Sequence, residues 1–424
     1  MKISIIGPYG TIPGEVWRET RFSMMADHLA KAGHDVTWWT ADFAHHSKQF
    51  RTSAPERTIK QPYTIRLVRT PAYQSHIGIG RLVFELTFAL RAYGEAMREV
   101  APDVIISGDA TLPTSFAAAA LATRRDAKLV FDIIDLYPEI FSTVLPPNWR
   151  PIAQTLFWPL AYARRRHFLR ADAIIAVSRD YLKVGSIIPA QCAGIPLVPV
   201  YWGVDVESIR HVCCFRGTRS DSPTLGAIQV VYSGTLGEKY DVGTLMEAAI
   251  SLRDTRPQVN FVIAGDGPRR SQIESCIREH HLSNVIVLGP IAPQELASLY
   301  RRCDVGLCLY SPGSTVVMPI KAYDYFAAGL PIISSIKGEL QEVIARERCG
   351  VTYEAGNPRS LTQSLLDLAD DVELRSTMAG NAYRIGSTFE KRIQYDRILR
   401  LVEQLVGGPQ TSFDGPRTSM ARAS

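Results

Sequence analysis

The stretch KISIIGPYGTIPGEVWRETRFSMMADHLAKAGHDVTWWT, residues 2–40, decides the fold. Lys2–Gly7 is a short β-rich run with almost nothing polar, the pattern of a strand covered on both faces. A turn-rich segment follows. Phe22, Met25, Ala26, Leu29 and Ala30 then fall at i, i+3, i+4, i+7 and i+8, one face of a helix. Lys31-Ala-Gly33 supplies a C-terminal charge and a stop, and Val36–Thr40 is the next strand. The same unit recurs outward from there. Strands are predicted at residues 65–69, 104–107, 129–133, 174–178 and 197–201, with helices near 81–100, 113–123, 151–169 and 179–184. Strands alternating with helices mean βαβ crossovers and a parallel sheet.

The periodicity lapses between 203 and 229, where GTRSDSPTLGA is polar and turn-rich, and a second αβ series starts at Gln229. Its strands are QVVYS, VNFVIAG, NVIVLG, CDVGLCLY, PIISS and CGVTYE. Its helices lie near 243–253, 269–281, 293–302, 319–328, 338–345 and 358–368, and a helical run reaches Val406. The fold class is α/β, with two doubly wound domains in tandem. The expected division is 1–203, a linker 204–228, 229–385, a helix 386–406 returning toward the first domain, and a disordered tail 407–424. Ligands in such sheets bind outside the carboxyl ends of the strands, so the expected site is the cleft where the two sets of ends face each other.

Composition sets the outer limits. The chain has 424 residues, 46% hydrophobic and 21% charged, which excludes disorder and low complexity for its bulk. The net charge of +5 is uneven: residues 1–203 carry 23 Lys and Arg against 17 Asp and Glu, whereas the remainder is near neutral. That excess suits an anionic partner or a merely solvated surface. Seven cysteines without a C-x-x-C argue against a disulfide framework and a zinc site. No signal peptide opens the chain, and no run reaches the ~18 apolar residues of a spanning helix. A cytoplasmic protein follows, with any membrane contact peripheral.

Four glycine-bearing turns follow predicted strands: GPYGTIPG (7–14), SGTLG (233–237), AGDGP (264–268) and GPI (289–291). Glycine lets a backbone approach a ligand and point N–H groups at it, although βα turns also need glycine for steric reasons. Three such turns in one half point to a nucleoside-diphosphate site there. A G-x-G-x-x-G after the first strand and a P-loop are both missing, so NAD-type and Walker-type chemistry lose support. The most informative segment is SPGSTVVMPIKAYDYFAAGLPIISS (311–335). Pro319 opens a short helix that Gly329 stops, and Asp324 lies in its middle. A carboxylate there would accept from both hydroxyls of a ribose, and free N–H groups near Val316–Met318 would hold a phosphate. A surface helix with a solvated Asp is the competing reading.

KAYDYFAAGLPII resembles the K-x-x-E-Y-x-A-A-G-x-P-V-I segment of retaining glycosyltransferase family four, which has the GT-B fold. VVYSGTLGEKYDVGTLMEAA and NFVIAGDGPRRSQIES resemble that family's donor domain. DVIISGDATLP, LVFDIIDLYPE, ADAIIAVS and VPVYWGVD match its N-terminal domain in order. The nearest kinds are bacterial transferases building O-antigen, capsule or exopolysaccharide.

The resemblance implies a hexosyltransferase-type enzyme of class EC 2.4 that uses a nucleotide-sugar, usually UDP-linked, with retention and with neither metal nor cofactor. The acceptor would bind residues 1–203 and the donor residues 229–385. Asp324 would hold the ribose, and Gly234, Thr235 and Gly237 would line the diphosphate. Gly265 and Gly267 would shape the pocket, and Ile291 would meet the base. Val316, Val317 and Met318 would lie over the diphosphate and sugar, and Gly14 would close the phosphates. The family's sugar-contacting glutamate falls at Val316, its loop arginine at Thr235 and its lysine at Tyr240, leaving Lys239, or one of Arg269 and Arg270, as the cation. Its acceptor-side histidine falls near Ile134, so Asp135 and then Asp132 are the candidate catalytic carboxylates. His45, His46 and Lys48 read as an exposed loop.

Residues 148–170, NWRPIAQTLFWPLAYARRRHFLR, mix aromatics with arginines. They read either as a core-packing helix with a charged face or as a peripheral contact with the inner face of the cell membrane. The expected partners are a UDP-sugar and a glycan or polyprenyl-diphosphate-linked acceptor, not nucleic acid. A nucleotide-sugar 2-epimerase and a non-catalytic sugar-nucleotide-binding protein remain as alternatives.

Overall fold

The computed structural model describes residues 1–15, 18–51, 58–60, 62–75, 78–109, 111–137, 150–213 and 228–408, with the side chains of 150–154 excluded. In chain order the first domain supplies β1 (Lys2–Ile6), β2 (Asp35–Ala41), the hairpin β3 (Phe43–Ala44) and β4 (Gln49–Phe50), and β5 (Thr58–Lys60). It continues with β6 (Thr64–Val68), β7 (Val104–Gly108), β8 (Lys128–Ile133), β9 (Ala173–Ala176) and β10 (Leu197–Pro199). Eight of these form a sheet ordered β10-β9-β8-β7-β1-β2-β6-β5, parallel except for the edge pair β5–β6. β7 is buried along its whole length. A strand covered on both faces loses its polar alternation, which is why these strands read as continuous apolar runs.

The second domain supplies β11 (Ile228–Ser233), β12 (Val259–Ala264), β13 (Val285–Gly289), β14 (Val305–Cys308), β15 (Ile332–Ser334) and β16 (Gly350–Thr352). They form one parallel sheet ordered β13-β12-β11-β14-β15-β16. In this order the connections reverse direction between β11 and β14, and in the first domain between β1 and β7. A crevice opens at the strand tips of such a reversal. Helices pack on both faces of each sheet, giving two apolar layers per domain. Each buried aliphatic or aromatic side chain in them contributes roughly 1.5–3 kcal/mol.

Two segments differ from expectation. Residues 179–184 are not a helix but a single tight turn, Asp180–Leu182. The Arg179 amide and the Ser178 hydroxyl instead donate to Glu339 of the second domain, at 2.7 Å each. The expected linker begins with a helix, Val206–Cys213, packed on the helices Pro293–Tyr300 and Ile320–Ala328. The lone apolar side chains of a two-turn helix leave too short a pattern to read. Residues 214–227 of that linker and 409–424 of the tail lie outside the described residues.

The last helix, Lys391–Gly407, buries Tyr395, Ile398, Leu401 and Val402 in the first domain's core beside the helix Arg21–Lys31. The chain thus crosses between the domains twice, near Val204 and near Glu390, where backbone bonds link Val204 to Phe389 and Lys391.

Candidate active site

The loops at the carboxyl ends of both sheets meet in the cleft. On the second domain, β11 runs into Gly234, Thr235, Leu236 and Gly237. Gly234 and Leu236 donate their amides to Ala264 and Asp266, at 2.9 Å each, which ties this loop to the one after β12. The amides of Thr235 and Gly237 donate to no acceptor among the described residues, so they remain for a ligand. Gly265 and Gly267 act from behind. A Cβ on Gly265 would stand 1.8 Å from the Gly234 carbonyl oxygen, and one on Gly267 would stand 2.5 Å from that of Leu236. Their missing side chains let two backbones nest. Gly265→Ala should therefore cost about 1–3 kcal/mol, as overpacking does, and displace the 234–237 loop. Gly237→Ala, whose Cβ meets nothing nearer than 3.7 Å, should leave the melting temperature close to wild type. Thermal denaturation of the two variants checks this.

Asp324 sits on the helix Ile320–Ala328, which starts after Pro319 and ends at Gly329 in the left-handed conformation. The carboxylate is buried, and Arg18 of the first domain grips both of its oxygens, at 2.7 and 2.9 Å. Burial opposes the Arg18 charge, but the Asp324 carboxylate outweighs it and the guanidinium pKa is raised. The residue expected to hold a ribose is thus satisfied by a cation from across the cleft. Sequence reading passed over Arg18, because nothing local marks a pairing over 306 positions.

The neighbouring expectations are modified. Met318 is buried in the apolar core, Val317 packs on the first domain, and the Val316 amide donates to the Ser314 hydroxyl oxygen at 3.2 Å. This segment helps seal the domain contact, while the amides of Val317 and Met318 donate to no acceptor among the described residues. Ile291 is half-buried against the same core. Gly14 has a positive φ of 93° and open space around it. Arg269 and Arg270 are occupied by Glu238 and Glu274, as a solvated helix start would have them.

On the first domain, the two candidate carboxylates part company. Asp132 is fully buried at the end of β8 and is held bidentately by Arg21, at 2.6 and 2.9 Å. It is a structural residue beneath the cleft and not a catalytic candidate. Asp135, three residues on, opens into the cleft, and the enclosing walls raise its pKa against the lowering influence of Lys239 and Arg81. Lys239 belongs to the second domain, so Asp135 is where the halves address each other. The Tyr181 and Tyr240 hydroxyls also feel its charge.

Beside it, the Tyr9 hydroxyl donates to Glu85 at 2.7 Å, and Arg81 reaches both, at 3.0 and 2.9 Å. His45 is not simply exposed: it is half-buried and bonded to the Tyr73 hydroxyl, with Lys48 4.1 Å above that ring.

Glu339, fully buried, was also missed. It accepts from Ser178, from the Arg179 amide and guanidinium, and from Tyr201, while its own amide donates to Asp180 at 2.8 Å. It rivets the domains at the edge of the cleft. Among the described residues there is no group of three or more His, Cys, Asp or Glu placed to hold a metal. None of the described helices is long and apolar enough to cross a membrane.

Comparison with known proteins assigns both halves. The family model described as Glycosyl transferases group 1 matches residues 219–385, and the Glycosyl transferase 4-like domain matches residues 19–183. The uncharacterized glycosyltransferase MJ1178 of Methanocaldococcus jannaschii is 28% identical over 146 residues, 34% of this chain and 40% of that protein. The amylovoran biosynthesis glycosyltransferase AmsK of Erwinia amylovora is 22% identical over 183 residues, 42% of this chain and 45% of that protein. The chain thus matches less than half the length of these relatives.

Among solved structures, Anabaena HepE in complex with UDP superposes with a TM-score of 0.66 at 16% identity, covering 95% of this chain and all of that one. At that identity the likeness speaks for the fold. With a glycosyltransferase model on each half and two Rossmann-like domains facing across a cleft, the chain belongs to the GT-B glycosyltransferases of the family-four-like kind.

Proposed function

We propose that this protein transfers a sugar from a UDP-sugar to a lipid-linked glycan acceptor, with retention at the anomeric carbon, during assembly of a bacterial surface polysaccharide at the inner face of the cell membrane. One juxtaposition carries the proposal. The unfilled amides of Thr235 and Gly237, with Asp324 nearby, lie on one wall, and Asp135 faces them from the other with Lys239 between. That is a diphosphate cradle, a pentose grip and an acceptor-side carboxylate in one cleft. The UDP bound by HepE and the polysaccharide named for AmsK support the donor and the product class.

A groove of about 880 Å³ supports the lipid acceptor. The helices Ile79–Ala96, Leu112–Arg125 and Arg150–Phe168 line it with Leu82, Leu86, Leu90, Phe116 and Leu160, and Arg81, Arg124 and Arg170 also line it. Tyr137 and Arg81 belong to its lining and bring it beside Asp135. An isoprenoid chain suits the apolar floor, and its diphosphate suits the arginines. Trp149 and Ile152 of the basic-aromatic segment lie outside what is described of side chains.

Chemistry rests on positioning and electrostatics. The bond from the anomeric carbon to the diphosphate oxygen breaks as the acceptor hydroxyl oxygen bonds to that carbon from the same face. The hydroxyl proton passes to the departing diphosphate, whose charge the amides and Lys239 meet. Asp135 orients the acceptor hydroxyl. The scheme needs neither a metal nor a covalent enzyme intermediate.

The test is a calorimetric screen of UDP-sugars, followed by incubation with lipid-linked acceptor in membrane extract and NMR of the new linkage. A UDP-sugar bound and transferred with its anomeric configuration kept is the expected result. UDP and an epimerised sugar released without acceptor would make the protein a 2-epimerase. Binding with no product in either assay would leave it a sugar-nucleotide-binding protein.

A further inference from the structure

The strand reversal between β11 and β14 holds a buried cation. Lys321 lies in the first turn of the helix Ile320–Ala328 and is 9% exposed. Its ammonium has no hydrogen-bond acceptor among the described residues, and no carboxylate pairs with it. Three rings surround it instead: Tyr232 at 3.9 Å, Tyr240 at 5.0 Å and Tyr310 at 5.7 Å from their centroids. Ring faces attract a cation but fill none of its three N–H donors. A buried ammonium with empty donors is costly, and proteins keep such a group where a ligand completes it.

The open direction is identifiable. A Cβ on Gly234 would stand 2.9 Å from Nζ, so the amine lies directly against the loop whose Thr235 and Gly237 amides are free.

We infer that Lys321 is the cation this chain presents to the diphosphate of its donor, reaching the strand-tip loop from the helix behind it. The inference rests on the donor-site reading above and adds a residue to it. Diphosphate oxygens would supply the missing acceptors, and the charge-assisted bonds would be short and strong in this dry setting. Lys239, exposed on the cleft rim, would then be a second and more mobile contact.

The titration of the site agrees with this geometry. Burial lowers the Lys321 pKa to about 8, and Cys308 on β14 pulls the other way. The titratable groups facing it are Cys308, Tyr232, Tyr240 and Tyr310, and burial raises the pKa of each. Without ligand the amine gives up its proton above about pH 8, whereas a bound diphosphate holds the proton on. UDP affinity should fall as pH rises past 8, and binding at pH 8.5 should take up protons.

The experiment compares wild type with Lys321→Met, a shape the cage tolerates, by calorimetry with UDP, uridine and inorganic pyrophosphate. Melting temperatures without ligand accompany it. Expected are a tenfold or greater loss of UDP and pyrophosphate affinity, unchanged uridine affinity, and a ligand-free melting temperature no lower than wild type. Wild-type calorimetry at pH 8.5 in two buffers of different ionisation heat checks proton uptake without any variant.

UDP affinity within twofold of wild type in Lys321→Met, or no proton uptake, overturns the inference while the donor site stands. A lower ligand-free melting temperature with UDP affinity kept shows that the lysine only holds the tyrosines together, and it also overturns the inference. Lysine-dependent binding of pyrophosphate without UDP binding supports it and overturns the nucleotide reading. Wild type that binds neither UDP nor pyrophosphate overturns both.

Discussion

Asp132→Ala should lower folding stability by about 3–5 kcal/mol, the cost of removing one partner from a fully buried ion pair. At roughly 2–4 °C per kcal/mol for a domain of this size, the melting temperature should drop on the order of 10 °C. The reason is what remains behind. Arg21 is fully buried, and its guanidinium spends two donors on Asp132 and another on the carbonyls of Val200, at 2.7 Å, and Tyr201, at 3.2 Å. Burial opposes its charge, and the Asp132 carboxylate more than restores it, so its pKa is raised. Without that carboxylate, a cation stays among β8, the helix Arg21–Lys31 and the loop after β10 with no counter-charge.

Arg21→Met combined with Asp132→Leu should recover most of the loss, because removing both charges also removes both desolvation costs. Thermal melts of the single and double variants measure this. An Asp132→Ala protein that melts like wild type and only fails to turn over would return the residue to the catalytic list.

This pair marks where sequence reading stops. The alternation of strands and helices was legible because parallel strands buried on both faces are written as short apolar runs between glycine turns. The glycine loops at 234–237 and 265–267 were legible for the same reason: Gly234, Gly237, Gly265 and Gly267 punctuate strand ends. DIIDLYPE ranked Asp135 ahead of Asp132 but kept both as candidates, since both are acidic and three residues apart. What separates them is Arg21, which is 111 positions from Asp132 in the chain.

Lys321 likewise stood in the quoted motif as one more polar residue of a short helix. Its three rings come from the ends of β11 and β14 and from the loop that follows β11, and no local pattern carries that meeting. The turn at 179–184 was misread because its helix-start groups are claimed by Glu339, another long-range fact. Period and punctuation specify elements, whereas pairings across domains specify which polar residues are free to work.

Asp324→Ala and Arg18→Ala should shift donor affinity in opposite directions. A carboxylate that accepts from charged or hydroxyl donors contributes roughly 1.5–3 kcal/mol per bond, so losing the pentose grip should weaken UDP binding on the order of 100-fold. Arg18 now occupies both oxygens of that carboxylate, and ribose hydroxyls reach them only after it withdraws. The Arg18 side chain is 36% exposed, so the pair is partly screened and worth about 0.2–1 kcal/mol. Removing it should therefore tighten UDP binding by no more than about fivefold.

The pair also spans the domains, so a bound donor exchanges one link between them for another instead of simply adding a contact. Calorimetry with UDP on both variants reads the signs. Weaker binding in Arg18→Ala would mean that the guanidinium moves onto the diphosphate and helps hold it. Unchanged binding in Asp324→Ala would take the ribose away from this residue altogether, and with it the reason for a buried carboxylate in the middle of that helix.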